Sequence, residues 1–134
     1  MIKKVDHVSI AVSDIAEGLK TFENLLGIKA GHVEEIPEQG VKAAMIMVGD
    51  VEIELIEPTK PDSGVAKFLE KKGEGIHHIC FEVDDVDKEL DSLAAKGVDL
   101  IDKQGRDGLA GKVGFIHPRS TKGVLIELAQ KVQG

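Results

Sequence analysis

Hydrophobic and polar positions alternate along several short stretches of the chain and follow a helical period along others. Residues 5–12 place apolar side chains on one face and His7 on the other, which predicts a strand with a single core face. A helical stripe begins near Ile15, after a Ser-Asp pair that can cap it, and Gly27 is a typical stop. The chain therefore opens with a strand and an amphipathic helix.

The remaining elements follow in the same manner. Strands are predicted at 30–36, 43–49 and 51–58, a helix at 65–73, a strand at 76–83, a helix from 86 to 97, strands at 98–104, 112–118 and 123–130, and a loop at 106–111. Residues 59–64 contain Pro, Ser and Gly and are typical of a connector. The pattern after this connector repeats the pattern before it.

The two halves share short motifs at matching places. DHVSIAVSD at 6–14 corresponds to HHICFEVDD at 77–85, and IEL at 53–55 corresponds to IEL at 126–128, about seventy residues later in each case. Repetition at this length indicates a duplicated supersecondary unit of one strand, one helix and three strands. We therefore predict a single α+β domain of two tandem βαβββ modules, residues 1–64 with the connector and residues 65–134.

The duplication brings four potential metal ligands into equivalent positions. The first strand of each module carries a histidine, His7 or His78, and the last strand carries a glutamate, Glu54 or Glu127. Each of the four lies opposite the apolar residues of its strand. A lone strand histidine or glutamate is more often structural, but four at equivalent positions favour a site. Two imidazoles and two carboxylates are suited to one divalent transition metal.

The other histidines and the cysteine fit structural roles better. His77 competes with His78, but it shares the apolar face of its strand and does not align with His7. His32 and His117 have no counterparts in the other module. Cys80 shares a face with His78, and a single thiol within a strand is more often a small hydrophobic residue than a ligand.

Composition narrows the class of protein. Apolar residues make up 42% and charged residues 31% of the chain, which is typical of a globular domain. The net charge of −7 argues against a nucleic-acid or anionic-membrane partner. We see no membrane span and no signal peptide at the N-terminus. The single cysteine is consistent with a reducing, cytoplasmic setting.

Several segments together resemble a known family. They are DHVSIAV at 6–12, PEQGV at 37–41, ELIEP at 54–58, VAKFLEKKGEGIHHICFEVDD at 65–85 and FIHPRSTKGVLIELAQ at 115–130. They resemble the vicinal oxygen chelate superfamily, whose paired βαβββ modules form a cup-shaped mixed sheet around a metal, and within it the family of the methylmalonyl-CoA epimerases. The resemblance implies one divalent metal per chain, Co²⁺ first and Zn²⁺, Mn²⁺, Ni²⁺ or Mg²⁺ as alternatives. It also implies an acyl-CoA substrate and a homodimer.

The implied reaction exchanges the proton on C2 of methylmalonyl-CoA through a metal-stabilised enolate. The metal-ligand positions of the family fall on His7, His78 and Glu127, and on Glu54, where some relatives have Gln. Some members carry a glutamate, taken to be a base, at the position of Ala43, which cannot transfer a proton. We therefore expect Glu54 and Glu127, one from each module, to act as the proton-transfer groups as well.

The CoA tail is anionic, so an acidic chain needs a local basic patch to bind it. The candidate phosphate or carboxylate contacts are Lys103, Arg106, Lys112, Arg119 and Lys122, and of these we expect Lys112, Arg119 and Lys122 to bind the substrate. Three other readings stay open: a glyoxalase I-type lyase acting on a glutathione hemithioacetal, an extradiol dioxygenase with a 2-His-1-carboxylate iron site, and a non-catalytic binding protein of the same fold.

Overall fold

The computed structural model describes residues 1–29, 31–108 and 111–131. The helices are α1, Ile15–Leu26, α2, Gly64–Lys72, and α3, Val86–Ala95. The strands are β1, Ile2–Ala11, β2, Val33–Ile36, β3, Val41–Val48, β4, Val51–Pro58, β5, Gly75–Val83, β6, Arg106–Gly108, β7, Gly111–Ile116, and β8, Ile126–Gln130. Within the described ranges, none of the helices combines the length and the apolar character that a bilayer span requires.

The order of elements repeats. The series β1-α1-β2-β3-β4 is followed, after α2, by β5-α3-β6-β7-β8. This order confirms the α+β class and the two βαβββ modules that the sequence predicts. The chain forms two compact units, an N-terminal unit of His7–His77 and a C-terminal unit of Met1–Asp6 with His78–Gly134. Strand β1 therefore contributes its first residues to one unit and its last residues to the other.

Each unit has the same strand pairing. In the N-terminal unit the strands lie in the order β2-β3-β4-β1, with β1 parallel to β4 and the other pairs antiparallel. In the C-terminal unit the order is β6-β7-β8-β5, with β5 parallel to β8. The registers are equivalent as well, since Ser9 faces Glu54 across one parallel pair and Cys80 faces Glu127 across the other.

Local capping explains where the first and third helices begin. The Asp14 carboxylate accepts a hydrogen bond from the Glu17 N–H, and the Asp85 carboxylate accepts one from the Lys88 N–H. Helix α1 ends at Gly27, whose φ of 69° lies in the left-handed region that favours glycine. The predicted helix starts and the Gly27 stop are confirmed.

The expectation of a single core face on each first strand is wrong. In the N-terminal unit α1 packs on one face, against a cluster that includes Ala44, Ile46 and Leu55. The opposite face is also buried, because α2 covers its far end; the cluster there contains Ala11, Ile36, Val41, Ala43, Ile56 and Val65. The face that carries His7 is therefore interior, and the alternation in the sequence separates two buried faces.

Two predictions for the C-terminal half are also wrong. Residues 98–104 do not form a strand; Leu100 makes one isolated bridge to Ile116. The Asp102 carboxylate accepts the Phe115 N–H at 2.9 Å, so a side chain takes the place of a neighbouring strand there. The predicted loop at 106–111 contains β6 and the first residue of β7; residues 109 and 110 lie outside the described part.

Candidate metal centre

The first histidine–carboxylate pair lies in the N-terminal unit. His7 on β1 and Glu54 on β4 are buried, with 6% and 5% of their surface exposed. The His7 Nε2 and Glu54 Oε1 atoms are 4.0 Å apart. The hydroxyl of Ser9, which faces Glu54 across the parallel pair, donates a hydrogen bond to the same Oε1. This hydrogen bond orients the Glu54 carboxylate, whose oxygens keep lone pairs that can bind a cation.

The second pair lies in the C-terminal unit and is likewise formed by two parallel neighbouring strands. His78 on β5 and Glu127 on β8 are also buried, and the His78 Nε2 and Glu127 Oε1 atoms are 3.0 Å apart. Phe115, which faces Glu127 across the antiparallel β7–β8 pair, packs edge-to-face on the His78 ring at 5.6 Å. The aromatic contact and the carboxylate together hold the imidazole in place.

The donor set of each pair fits a divalent cation. Burial of a carboxylate or imidazole costs free energy unless a partner or a metal compensates it. Metal–ligand bonds of about 2.1 Å place two ligands of one cation about 3.0–3.4 Å apart. The separations of 3.0 Å and 4.0 Å within the pairs match that requirement, or need a small side-chain shift to do so. His7, Glu54, His78 and Glu127 could thus each supply a nitrogen or oxygen ligand.

Arg106 is the basic residue that lies beside the second pair. Strand β6 pairs Arg106 with Val113, which shares a face of β7 with Phe115 because side chains alternate along a strand. The Arg106 guanidinium lies 5.5 Å from the centre of the Phe115 ring and 3.1 Å from an Asp102 carboxylate oxygen. A positive charge therefore stands next to the aromatic side chain that supports His78.

Lys112 occupies the other face of the same strand. It forms an ion pair with Asp87 of α3, and this contact raises the pKa of Lys112 and lowers that of Asp87, to which the Gly105 N–H also donates a hydrogen bond. The alternation of β7 places Lys112 opposite the face that carries Phe115. Contact between Lys112 and a ligand beside Glu127 stays a prediction, and would require loss of the Asp87 pair.

The other expected substrate contacts lie at the turn before β8. The Arg119 Nε atom is 2.9 Å from an Asp99 carboxylate oxygen, and more than half of its side chain is exposed. Lys122 is exposed and has a φ of 61°, an uncommon conformation for a residue with a side chain. Lys103 is exposed in the segment before β6. Contact of these three residues with a ligand at the His78–Glu127 pair stays a prediction.

Two of the other histidines, His77 and His117, and the cysteine have structural contacts. His77 packs edge-to-face on Phe68 with ring centres 4.9 Å apart. His117 Nδ1 accepts a hydrogen bond from the Arg119 N–H at 3.0 Å and so caps a short 3-10 turn. Cys80 is fully buried beside Val113 and Ala129. The structural roles that the sequence favours for these three residues stay predictions, which these contacts support.

A cavity lies on the same face of the N-terminal unit as Glu54. Its volume is about 230 Å³, and it is lined by Gly31, His32, Glu34, Ala43 and Met45. Met45 is the cross-strand partner of Glu54, and Glu34 is the cross-strand partner of Ala43. His32 therefore lines a cavity, although the sequence gives it no equivalent in the other module and favours a structural role.

Sequence reasoning missed the residues that support the two pairs. Ser9 and Phe115 each face a proposed ligand across a strand pair. Arg106 is a candidate anion contact in the sequence, but its strand is predicted as a loop. The period-two position of Ser9, two residues after His7, was an available signal. The roles of Phe115 and Arg106 depend on pairing between strands, which local sequence does not specify.

Comparison with known proteins agrees with this geometry. Residues 6–116 match the model of the Glyoxalase/Bleomycin resistance protein/Dioxygenase superfamily. The chain is 44% identical over 130 residues to the uncharacterized protein YqjC of Bacillus subtilis, covering 96% of this chain and 93% of that protein. It is 38% identical over 133 residues to the ethylmalonyl-CoA/methylmalonyl-CoA epimerase of Cereibacter sphaeroides, covering 97% and 99%.

A solved structure extends the likeness to the fold. The Streptomyces coelicolor methylmalonyl-CoA epimerase in complex with 2-nitronate-propionyl-CoA is 35% identical, with a TM-score of 0.90 over 98% of this chain and 96% of that chain. The chain therefore belongs to the glyoxalase superfamily and, within it, to the family of the methylmalonyl-CoA epimerases.

Proposed function

We propose that this protein is a divalent-metal-dependent epimerase that interconverts R- and S-methylmalonyl-CoA. The observation that carries the proposal is the presence of two buried histidine–glutamate pairs at equivalent strand positions of the two modules. Membership of the epimerase family supplies the substrate class. Methylmalonyl-CoA suits such a centre, because its carboxylate and thioester oxygens can chelate one cation in a six-membered ring.

The four ligands proposed are His7, Glu54, His78 and Glu127, and they bind one cation per chain, Co²⁺ in our proposal. A divalent cation supplies positive charge that stabilises the thioester oxygen as the C2 proton leaves. Neutral imidazoles and ionised carboxylates give a site of net charge near zero once that cation is bound. The duplication supports the shared site, since each module contributes one nitrogen and one oxygen ligand.

Epimerisation requires proton transfer on both faces of the planar enolate. We propose that Glu127 and Glu54 accept and donate protons as well as bind the cation, provided that the second oxygen of each carboxylate is free. The Ser9 hydroxyl donates to one oxygen of Glu54, so a proton on Glu54 would compete with this hydrogen bond and with the cation for the carboxylate lone pairs. This competition concerns Glu54, in the N-terminal module. A further base on that side of the substrate would avoid it.

Substrate anions need basic contacts near this centre. Among the candidate residues Lys112, Arg119 and Lys122, and their neighbours Lys103 and Arg106, Arg106 lies on the face of Phe115 and Glu127. A guanidinium can bind a carboxylate or phosphate with two parallel hydrogen bonds. We propose Arg106 as the first contact for the anionic substrate, and keep the other four residues as contacts for the distal CoA phosphates.

Two further features belong to the same proposal. Among the described residues, β2 and β6 are the end strands of their units and each pairs with one neighbour. We propose that the protein is a homodimer, because such edges can pair or pack with a second copy. We propose also that it acts in the cytoplasm. The single cysteine, which is buried, supports a reducing compartment.

The proposed activity can be tested by proton NMR in D2O. One sample of the purified protein is loaded with Co²⁺ and a second with Mg²⁺, which is diamagnetic and does not broaden the signals. Each sample is incubated with methylmalonyl-CoA, and the C2 proton signal is followed. Loss of that signal, slowed at least about 100-fold in His78→Ala but not in His117→Ala, supports the proposal. Absence of exchange with every metal rejects it, and turnover of a methylglyoxal–glutathione adduct would instead identify a lyase.

A further inference from the structure

The cavity beside β2 and β3 contains a carboxylate that is outside the proposed ligand set. Glu34 on β2 faces Ala43 on β3, and Met45, two residues further along β3, faces Glu54 on β4. Because alternate residues share a face, the side chains of Glu34, Ala43, Met45 and Glu54 lie on the same side of the N-terminal sheet. Glu34 therefore lies on the cavity side of the sheet, the same side as the proposed ligand Glu54 on β4.

The spacing leaves room for a small acyl group between the two carboxylates. Glu34 and Glu54 are two strand intervals apart, at about 4.8 Å per interval, and are shifted by two residues along the strands, at about 3.4 Å per residue. Their Cα atoms are therefore about 12 Å apart. The small side chain of Ala43, which is directly opposite Glu34, keeps the cavity of about 230 Å³ open.

Glu34 also has a route for protons to water. The Nε2 atom of His32 lies 3.9 Å from Glu34 Oε1, and both side chains line the cavity. The His32 and Glu34 side chains are 79% and 62% exposed, so both border the cavity and reach bulk solvent. The two ring nitrogens of an imidazole can donate and accept hydrogen bonds, which suits the ring to pass a proton between a carboxylate and water.

We propose that Glu34 is the proton-transfer residue on one face of the substrate C2, with His32 beside it as a second group that can pass protons to solvent. This inference rests on the proposed function and refines it, because Glu54 then acts as a ligand only. The C2–H bond breaks, the proton passes to the Glu34 carboxylate, and the electron pair forms the C1–C2 double bond as negative charge moves to the thioester oxygen. A proton delivered to the opposite face, from Glu127, gives the other epimer.

A single substitution gives a signature that a general loss of structure cannot produce. In Glu34→Gln, the epimer that is deprotonated by Glu34 no longer exchanges its C2 proton with D2O. The other epimer is still deprotonated on its own face and exchanges without inversion. We expect epimerisation in both directions to fall at least about 100-fold, within the range attributed to general acid–base catalysis, while exchange into one epimer stays within about threefold of wild type.

The chain offers a matched control on the same strand. Glu35 is exposed and faces Lys42, so it points to the other side of the sheet, and Glu35→Gln should leave exchange and epimerisation unchanged. The double variant Glu34→Gln/Ala43→Glu places a carboxylate on β3, directly opposite the one that was removed from β2. It should restore part of the epimerisation. Partial restoration supports a direct proton-transfer role, because a structural defect at Glu34 would not be repaired by a larger residue opposite it.

The outcomes separate this inference from the proposed function. If the wild-type protein exchanges no proton with any divalent metal, the proposed function fails. If the wild type epimerises the substrate and Glu34→Gln does so at the same rate, Glu34 is not the base and the proposed function stands. Equal loss of exchange into both epimers, or failure of the Ala43→Glu change to restore any epimerisation, would also overturn the assignment of Glu34.

Discussion

His78 and Glu127, which are 49 positions apart in the chain, approach to 3.0 Å between Nε2 and Oε1 inside the C-terminal unit. They come together because β5 and β8 are parallel neighbours and each carries its polar residue on the same face. At that separation the two atoms can share a hydrogen bond or bind a common cation. The equivalent His7–Glu54 pair is 1.0 Å wider (4.0 Å against 3.0 Å), and Ser9 supports its carboxylate.

The support from Ser9 can be tested separately from the ligands. Ser9→Ala removes the hydroxyl that donates to Glu54 and leaves a side chain of nearly the same size in a fully buried place. We expect metal affinity to fall about 10-fold, the lower end of the effect of losing a group that orients a ligand. The dissociation constant for Co²⁺, measured by competition with a chromogenic chelator, gives the result.

Ser92→Ala is the control, because Ser92 is an exposed residue of α3 and the same change of side chain there should leave the affinity unaltered. Equal affinities for the wild type and Ser9→Ala would show that the Ser9 hydroxyl does not orient Glu54 for metal binding.

The sequence predicts the four proposed ligands well because the duplication marks them. His7 and His78 follow the same local pattern, and the IEL motifs repeat Glu54 and Glu127, so no knowledge of strand pairing is required. Ser9 could not be assigned in the same way. Its contact with Glu54 depends on the parallel pairing of β1 with β4, a register between segments that are more than forty residues apart.

The weakest predictions concern the segment before β7. Arg106, Asp107 and Gly108 have low strand propensity, and local sequence favours a turn. Pairing with β7 overrides that preference, and Gly108 is needed because a Cβ there would lie 2.6 Å from a Val113 methyl group. The place of Arg106 on the same face as Phe115 follows from this pairing and could not be read from the sequence.

Arg106 gives a prediction for substrate binding. Arg106→Ala should raise KM for methylmalonyl-CoA about 10-fold, the size expected for loss of one charge-assisted hydrogen bond, with little change in kcat. The dependence of KM on salt concentration should also weaken, because one positive charge has been removed. Steady-state kinetics at several ionic strengths measure both effects.

The variants Lys103→Ala and Lys112→Ala are controls that distinguish the effect of Arg106 on KM from a general loss of positive charge in this segment. Lys103 is exposed before β6, and Lys112 is paired with Asp87 on the other face of β7, so neither change should match the effect of Arg106→Ala. A larger increase in KM for Lys112→Ala than for Arg106→Ala would place the anionic substrate on the α3 side instead.

The Asp87–Lys112 pair predicts how stability depends on pH. Lys112 lowers the pKa of Asp87 from 3.8, so the stabilisation is present above that pH and is lost as pH falls through the lowered value. Asp87 raises the pKa of Lys112 from 10.5, so the stabilisation is present below 10.5 and is lost as pH rises through the raised value. Asp87→Asn should therefore have a lower Tm than wild type at neutral pH.

Thermal unfolding at a series of pH values measures this difference. It should be constant from about pH 5 to about pH 9 and shrink at both extremes, in the direction that the two pKa changes require. Asp91→Asn, an exposed carboxylate on the same helix, serves as the control. A difference between Asp87→Asn and wild type that persisted unchanged in strong acid would show that the ion pair is not its source.

The central claim is that both modules bind the same cation. Isothermal titration of Co²⁺ into the metal-free wild type, His7→Ala, His78→Ala and the control His117→Ala tests it most directly. We predict one equivalent per chain in the wild type and in His117→Ala, and weakening of that single event by at least about 100-fold in both ligand variants, beyond what loss of an orienting group causes. Two independent equivalents in the wild type, or native affinity in either His7→Ala or His78→Ala, would contradict the account.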